Sequence, residues 1–271
     1  MTFSALLSVY AKEKAAYLHE ALHSIETQTL MPDEIVLVKD GPLTPELERI
    51  IAEHVRNTAI PYSVIALAKN VGLGEALSHG LKHCTHEWVA RMDTDDIALP
   101  DRFEKQFAYL EEHPDTDILG GWICEFDSDA AQCDRERRVP SSHEEIVRFA
   151  KHRNPLNHMT VVFRKEAISD AGGYKPMNGF EDYYLWMRML QKKKRFANLP
   201  EVIVKVRAGR EMIRRRQGWQ YAKSEWQLEM AAYRLGFWSP VDIGRNLFTR
   251  ILPRLLPLVV TEKLYNVLRK L

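Results

Sequence analysis

The chain has 271 residues, 45% apolar and 28% charged, the balance of a water-soluble globular protein and the length of one large α/β unit. No stretch approaches the ~20 uninterrupted apolar residues of a membrane-crossing helix, and the N-terminus enters a strand at once, without a basic, cleavable leader. A net charge of +1 conceals a split: Lys205–Leu271 carries 14 Lys or Arg against 5 Asp or Glu, a surplus of +9 that leaves −8 for residues 1–204.

In chain order, apolar runs alternate with helical patterns. Residues 3–10 read as a strand, 14–28 as a helix, 34–39 as a strand, 44–57 as a helix, 62–67 as a strand, 72–84 as a helix and 87–92 as a strand. Such alternation predicts a Rossmann-like, mostly parallel sheet flanked by helices, which binds ligands at the carboxyl ends of its strands. Tyr10, Asp40 and Asp93 fall at three such ends. A helix over 101–113 leads to a strand over 117–126. Residues 127–140, with Arg135, Arg137 and Arg138, read as a flexible, solvated loop, a contact with a diphosphate acceptor being the alternative. A strand over 158–164, a helix over 165–171 closed by Gly172–Gly173, and a helix over 181–193 with Leu185, Trp186, Met189 and Leu190 at core spacing follow. Cys84, Cys124 and Cys133 are odd in number and contain no C-x-x-C, so neither a disulfide framework nor a zinc site is expected, and a reduced, cytoplasmic setting is.

The chemistry is concentrated in Glu87-Trp88-Val89-Ala90-Arg91-Met92-Asp93-Thr94-Asp95-Asp96. An apolar run ends in three carboxylates within four positions. Carboxylates this close raise one another's pKa unless a cation neutralises them. Oxygen ligands suit Mg²⁺ or Mn²⁺, which clamp phosphates. Asp40 ends a second strand before Gly41-Pro42, and Glu181-Asp182 opens a helix, where its charges also suit the helix dipole. Other signals are weaker. Gly72-Leu73-Gly74 is no dinucleotide fingerprint, since Leu77 occupies the third glycine position. His79 and His83 are one turn apart without a third ligand, and Trp122 and Trp186 fit core packing better than sugar stacking.

Taken in order, Ala5–Tyr10, Asp40-Gly41, Lys69–Ala76, Asp93-Thr94-Asp95-Asp96 with Pro100, Arg102 and Gln106, Asn157–Arg164, Gly172-Gly173-Tyr174 and Glu181-Asp182 resemble the family 2 glycosyltransferases, inverting enzymes of the GT-A fold. The likeness spans about residues 3–207 and is greatest to enzymes of bacterial O-antigen and exopolysaccharide repeat units. It implies a catalytic domain over 1–207, with a nucleotide-sugar half to about residue 100 and an acceptor half after it. By the resemblance Asp182 is the catalytic base, with Glu181 its rival. Asp95 is the principal metal ligand, assisted by Asp93, for Mn²⁺ or Mg²⁺. Ser8, Tyr10, Asp40, Lys69 and Asp93 hold the nucleotide-sugar, and His158, Glu181 and Arg207 are candidate diphosphate or acceptor contacts. It further implies transfer of a hexose (Glc, Gal or an N-acetyl form) from a UDP-sugar, with inversion to a β-linkage, onto an undecaprenyl-diphosphate-linked sugar at the cytoplasmic face of the inner membrane.

The sequence departs from the family after Arg207. Many relatives carry a His there; this chain continues Ala208-Gly209-Arg210 to Arg214-Arg215-Arg216, whose arginines are the candidates to neutralise the diphosphate instead. Two other readings stand beside this one. A sugar-phosphate nucleotidyltransferase calls for a glycine-rich loop after the first strand, whereas Tyr10–Ala15 contains no glycine. A non-catalytic membrane-bound scaffold would not need Asp93, Asp95 and Asp182.

Residues 208–271 read as a helical, basic, amphipathic extension. Leu247, Phe248, Ile251, Leu252 and Leu255 form a stripe beside Arg245, Arg250 and Arg254, interrupted by Pro253 and Pro257. Leu264, Val267, Leu268 and Leu271 repeat the pattern beside Lys263, Arg269 and Lys270. Such helices suit an anionic membrane surface, or simply pack on the catalytic domain. Leu-rich stripes without exposed aromatics argue against nucleic acid.

Overall fold

Phe3–Val9 is uncharged and almost wholly buried, as a strand covered on both faces must be. In the computed structural model, which describes residues 1–127, 130, 132–208 and 217–255, this strand (β1) lies between β2 (Glu34–Lys39) and β4 (Trp88–Arg91), parallel to both; β2 pairs in parallel with β3 (Tyr62–Ala66). The crossovers carry α1 (Ala15–Glu26), α2 (Pro45–Asn57) and α3 (Leu73–His83). Leu18, Leu22 and Ile25 of α1 and Leu47, Ile50 and Ile51 of α2 pack into one core with Leu7 and Leu37, whereas Ala76, Leu77 and Leu81 of α3 cover Leu6, Val36 and Val38 on the other face. Gly80 permits that approach, because a Cβ there would lie 2.4 Å from Leu6 Cδ1.

Beyond β4 the pairing changes. The sheet runs β3-β2-β1-β4-β8-β6-β9-β5, with β5 (Ile97–Ala98), β6 (Ile118–Phe126), β8 (Val162–Arg164) and β9 (Phe196–Arg207). β8 is antiparallel to both β4 and β6, while β6 and β9 are parallel. A parallel nucleotide half is thus joined to a mixed second half. Helices α4 (Arg102–Glu112), α5 (His143–Phe149), α6 (Lys165–Asp170) and α7 (Glu181–Gln191) complete the layers.

Three expectations need correction. Residues 127–140 are not simply a loop: Arg135–Arg137 form β7, antiparallel to β6, and Arg135 is ion-paired with the buried Glu125 directly opposite it. That return brings Cys124 and Cys133 to a Cα separation of 5.6 Å, and they form a disulfide; Cys84 is free and buried. The expected strand over 158–164 opens instead as a 3₁₀ turn, His158–Thr160, before β8.

The C-terminal residues form α8 (Gly218–Arg234) and α9 (Pro240–Asn246), the latter opened by a Ser239–Asp242 capping box. The chain continues through a π-helical segment, Leu247–Ile251, and a last turn, Leu252–Arg254. The wider π turn immediately precedes Pro253, which has no N–H to donate. Leu228, Ala232 and Trp238 pack on Phe180, Tyr183 and Met187 at the start of α7. Arg250 and Arg254, expected beside a membrane-facing stripe, turn inward to the fully buried Glu225, at 2.7 Å and 3.2 Å. Arg210, Arg214–Arg216 and the second predicted stripe, Leu264 to Leu271, lie outside the described residues. Among those described, no helix is long and apolar enough to cross a membrane.

Candidate active site

A cleft of about 1690 Å³ opens at the carboxyl ends of β1, β2 and β4. Its floor is the acidic turn after β4. Carboxylate oxygens of Asp93, Asp95 and Asp96 lie within 4.8 Å of one another. Buried Arg91 grips Asp93 with both terminal nitrogens, Nη1 to Oδ2 at 2.7 Å and Nη2 to Oδ1. Asp96 is buried, and its Oδ1 accepts the Arg207 N–H at 3.1 Å. The Thr94 hydroxyl lies 3.3 Å from the Ser8 carbonyl and 3.2 Å from a Glu13 carboxylate oxygen, tying the turn to the end of β1.

The electrostatics of this floor suit a cation. Burial, then the neighbouring Asp93 and Glu13 charges, push the Asp95 carboxyl up to about 7. Burial, then Asp95 and Asp93, hold Asp96 well above the ordinary carboxylate range. Three carboxylates beside one guanidinium carry a formal charge of about −2, which a divalent ion would balance. The donor set therefore fits a hard cation, with Asp95 the least engaged ligand and Asp93 and Asp96 flanking it.

Ser8, Tyr10 and Asp40, at the carboxyl ends of β1 and β2, line one wall of the cleft. Asp40 is buried, and its carboxylate accepts the N–H groups of Val71 (2.7 Å) and Gly72 (3.1 Å) and the Asn70 amide (3.0 Å). It thereby shapes the loop that enters α3. Gly41 is required beside it: φ is +87°, and a Cβ would meet the Asn70 nitrogen at 2.6 Å. Lys69 does not join this wall. It is exposed and absent from the cleft lining, whereas Asn70 and Gly72, hydrogen-bonded to Asp40, line the cleft.

Across the cleft, α7 presents Glu181 and Asp182 in its first turn. Asp182 Oδ1 accepts the Tyr183 N–H at 2.7 Å, and Oδ2 accepts the Asn154 amide at 2.6 Å. Burial raises the Asp182 pKa, opposed by these two hydrogen bonds and by the Arg91 and Arg137 charges. Glu181 is also raised by burial; its stem packs on α3, where a Cβ on Gly74 would lie 2.8 Å from Glu181 Cγ. His158 lines the cleft, but its Nε2 is 2.8 Å from the Tyr174 hydroxyl, and burial and the Arg91 charge keep the ring neutral. Arg207 pairs with Glu20 and lies over the Tyr17 ring at 4.0 Å. The C-terminal helices complete the cleft with Tyr221, Arg250 and Arg254.

Sequence reasoning missed Asn154, Glu13 and the role of Arg91. For Arg91 a signal was present: an arginine within a buried apolar run must have a charged partner. Asn154 precedes Pro155, a turn dipeptide, but nothing local ties it to Asp182, 28 positions on.

A parallel nucleotide-binding half, a mixed second half and a carboxylate cluster at their seam constitute the GT-A architecture. The profile of glycosyl transferase family 2 matches residues 4–172, and the chain belongs to that family; it is a glycosyltransferase. It is 44% identical over 273 residues, 99% of each chain, to the amylovoran biosynthesis glycosyltransferase AmsE of Erwinia amylovora. It is 38% identical over 255 residues, 94% of this chain and 92% of the other, to the UDP-Gal:α-D-GlcNAc-diphosphoundecaprenol β-1,3-galactosyltransferase of Escherichia coli. The crystal structure of S. aureus TarS 1–349 with UDP-GlcNAc shares the fold at a TM-score of 0.65 and 21% identity, over 94% of this chain and 72% of that one.

Proposed function

We propose that this glycosyltransferase moves a hexose from a UDP-sugar to a sugar on a lipid diphosphate, with inversion to a β-linkage, in the assembly of a bacterial surface polysaccharide. The observation that carries the reading is that one cleft has the acidic floor Asp93–Asp96 on one side and Asp182, oriented by Asn154, on the other. The Escherichia coli relative, whose name specifies a UDP-Gal donor and a diphosphoundecaprenol acceptor, supports this choice over other hexosyl transfers.

The acceptor hydroxyl attacks the anomeric carbon from the side opposite the nucleoside diphosphate, and Asp182 Oδ2 takes its proton as the new glycosidic bond forms. Burial suits Asp182 to this, since a raised pKa makes the carboxylate a better base. Ser8, Tyr10 and Asp40 with its loop hold the nucleotide. Asp95, flanked by Asp93 and Asp96, would hold Mn²⁺ or Mg²⁺, which when bound supplies positive charge to the departing diphosphate. Arg207, fixed by Glu20 and Tyr17, supports the floor through its backbone contact with Asp96. Residues 1–207 carry the reacting groups, and 208–271, whose helices also wall the cleft, form the membrane-associating segment, working peripherally at the cytoplasmic face of the inner membrane.

The test is nucleoside diphosphate release from UDP-, GDP- and dTDP-sugars, with Mn²⁺ or EDTA and a synthetic GlcNAc- or GalNAc-diphospholipid. Release from one UDP-sugar, abolished by EDTA, by Asp95→Ala and by Asp182→Asn but largely kept in Glu181→Gln, is expected. Full activity in Asp182→Asn, or turnover only with GDP- or dTDP-sugars, would overturn the assignment.

A further inference from the structure

Contrary to the expectation of stripes without exposed aromatics, helix α8 carries Trp219, Trp226 and Tyr233 at seven-residue intervals, with relative exposures of 73%, 43% and 49%. Seven residues turn a helix by two revolutions less about 20°, so the three rings form one stripe about 21 Å long. The helical stretch after it repeats the pattern with Val241 (80%), Phe248 (68%), Leu252 (43%) and Leu255 (45%). Seven large apolar side chains are thus exposed within residues 217–255. Only six others are exposed among the described residues, scattered along the first 73, and two of those, Tyr10 and Leu73, line the cleft.

These helices bury charged as well as apolar side chains against the domain. Their inner faces bury Glu225 and Glu229 beside Arg250, with Arg254 also on Glu225, and Ala222, Leu228, Ala232 and Ile251 fill the spaces between. So many large apolar side chains exposed on two neighbouring helices mark an interaction site.

We propose that this outer face docks on an anionic lipid bilayer, with the rings of Trp219, Trp226 and Tyr233 at headgroup level; the inference rests on the reading that the acceptor is lipid-linked. Three observations select lipid over a second copy or another protein. Trp and Tyr combine an apolar body with a polar tip, the chemistry of the membrane–water interface. Exposed Lys223, Arg234 and Arg245 stand on the same helices, whereas residues 1–204 carry a net −8. An anionic surface would attract this segment and repel the rest, which orients the enzyme. Finally, the inner sides of the same helices place Tyr221, Arg250 and Arg254 in the cleft wall, so docking here brings the cleft within one helix thickness of the surface that holds the lipid.

The experiment is co-sedimentation of the full chain with vesicles of phosphatidylcholine alone or mixed with phosphatidylglycerol, with and without added salt. Binding to the anionic vesicles, weakened by salt, is expected. The variant Trp219→Ser/Trp226→Ser/Tyr233→Ser should bind at least tenfold more weakly, with transfer to a water-soluble short-chain acceptor unchanged. Phe248→Ser/Leu252→Ser, on the other helix, provides a second arm should the first variant misfold, as judged by its melting curve. No vesicle binding by the wild type, or binding that both folded variants retain, would overturn the proposal. So would conversion of a dimer to a monomer by either variant with vesicle binding untouched, since the face would then belong to a second copy. Vesicle binding lost in the variants, with no transfer to any diphospholipid acceptor, would sustain the docking face and sink the acceptor reading.

Discussion

The Asn154 amide donates to Oδ2 of Asp182 at 2.6 Å, and Arg137 in turn donates to the Asn154 carbonyl at 3.1 Å. Asp182 Oδ1 is already engaged by its own helix N-terminus. Asn154 therefore fixes the orientation of the carboxylate and leaves the remaining lone pair of Oδ2 to an incoming hydroxyl. A hydrogen bond to the charged form also lowers a carboxylate's pKa.

Removing that bond should cost rate and shift the pH profile together. Hydrogen bonds to charged groups contribute about 1.5–3 kcal/mol, so Asn154→Ala is expected to lose roughly 10- to 100-fold in kcat. Its acid limb should move to higher pH, because Asp182, already raised by burial, loses an opposing contact. Activity rises with pH through this limb, since only the ionised form accepts a proton. A kcat loss with an unmoved limb would deny Asn154 this role.

The three floor carboxylates should separate by stability. Asp93 is the partner of buried Arg91, and leaving a buried charge unpaired costs about 3–5 kcal/mol. Asp93→Ala is therefore expected to melt roughly 6–15 °C below the wild type. Asp95→Ala relieves crowding among like charges and should melt at or above the wild-type temperature in metal-free buffer. Differential scanning fluorimetry with EDTA reads both. Equal destabilisation of the two variants would contradict the Arg91 clamp.

Cation binding should release protons. The Asp95 carboxyl lies at about 7 in the metal-free protein, so below that pH an ion must displace a proton to bind. The apparent Kd for Mn²⁺ is expected to weaken by at least about tenfold per pH unit as pH falls below 7. Titration calorimetry in buffers of different ionisation enthalpy would count the protons; a pH-independent Kd between 5.5 and 7 would exclude the coupling.

What was legible from residue order was local. Strands β1 to β4 and their helices follow from apolar runs with periodic partners, and Asp93–Asp96 stood out because an apolar strand has no local use for three carboxylates. Asp182 was found by the family pattern, not by its surroundings. The edge strand β5 is only two residues long, and β9 contains Pro200 and Glu201, which argue against a central strand. β7 and the Cys124–Cys133 bond depend on a hairpin that places Glu125 opposite Arg135. The inward turn of Arg250 and Arg254 depends on Glu225, at least 25 positions earlier; a count of charges sees a basic stripe, whereas the fold neutralises its inner half.

That inner half should make stability depend on pH. Burial pushes the Glu229 carboxyl up to about 7 despite the Arg250 charge beside it, against about 4.3 in an unfolded chain. The native state therefore binds this proton more tightly than the unfolded state. The stabilisation is fully present below pH ~4.3 and is lost as pH rises towards 7. Glu229→Gln mimics the protonated form and keeps an acceptor for the Asn246 amide, 3.3 Å away. The variant is expected to gain stability relative to the wild type as pH climbs from 5 to 8, seen as a rising difference in urea midpoint. Parallel midpoint curves across that range would mean that Glu229 stays ionised in the fold, and that the Arg250 charge outweighs its burial.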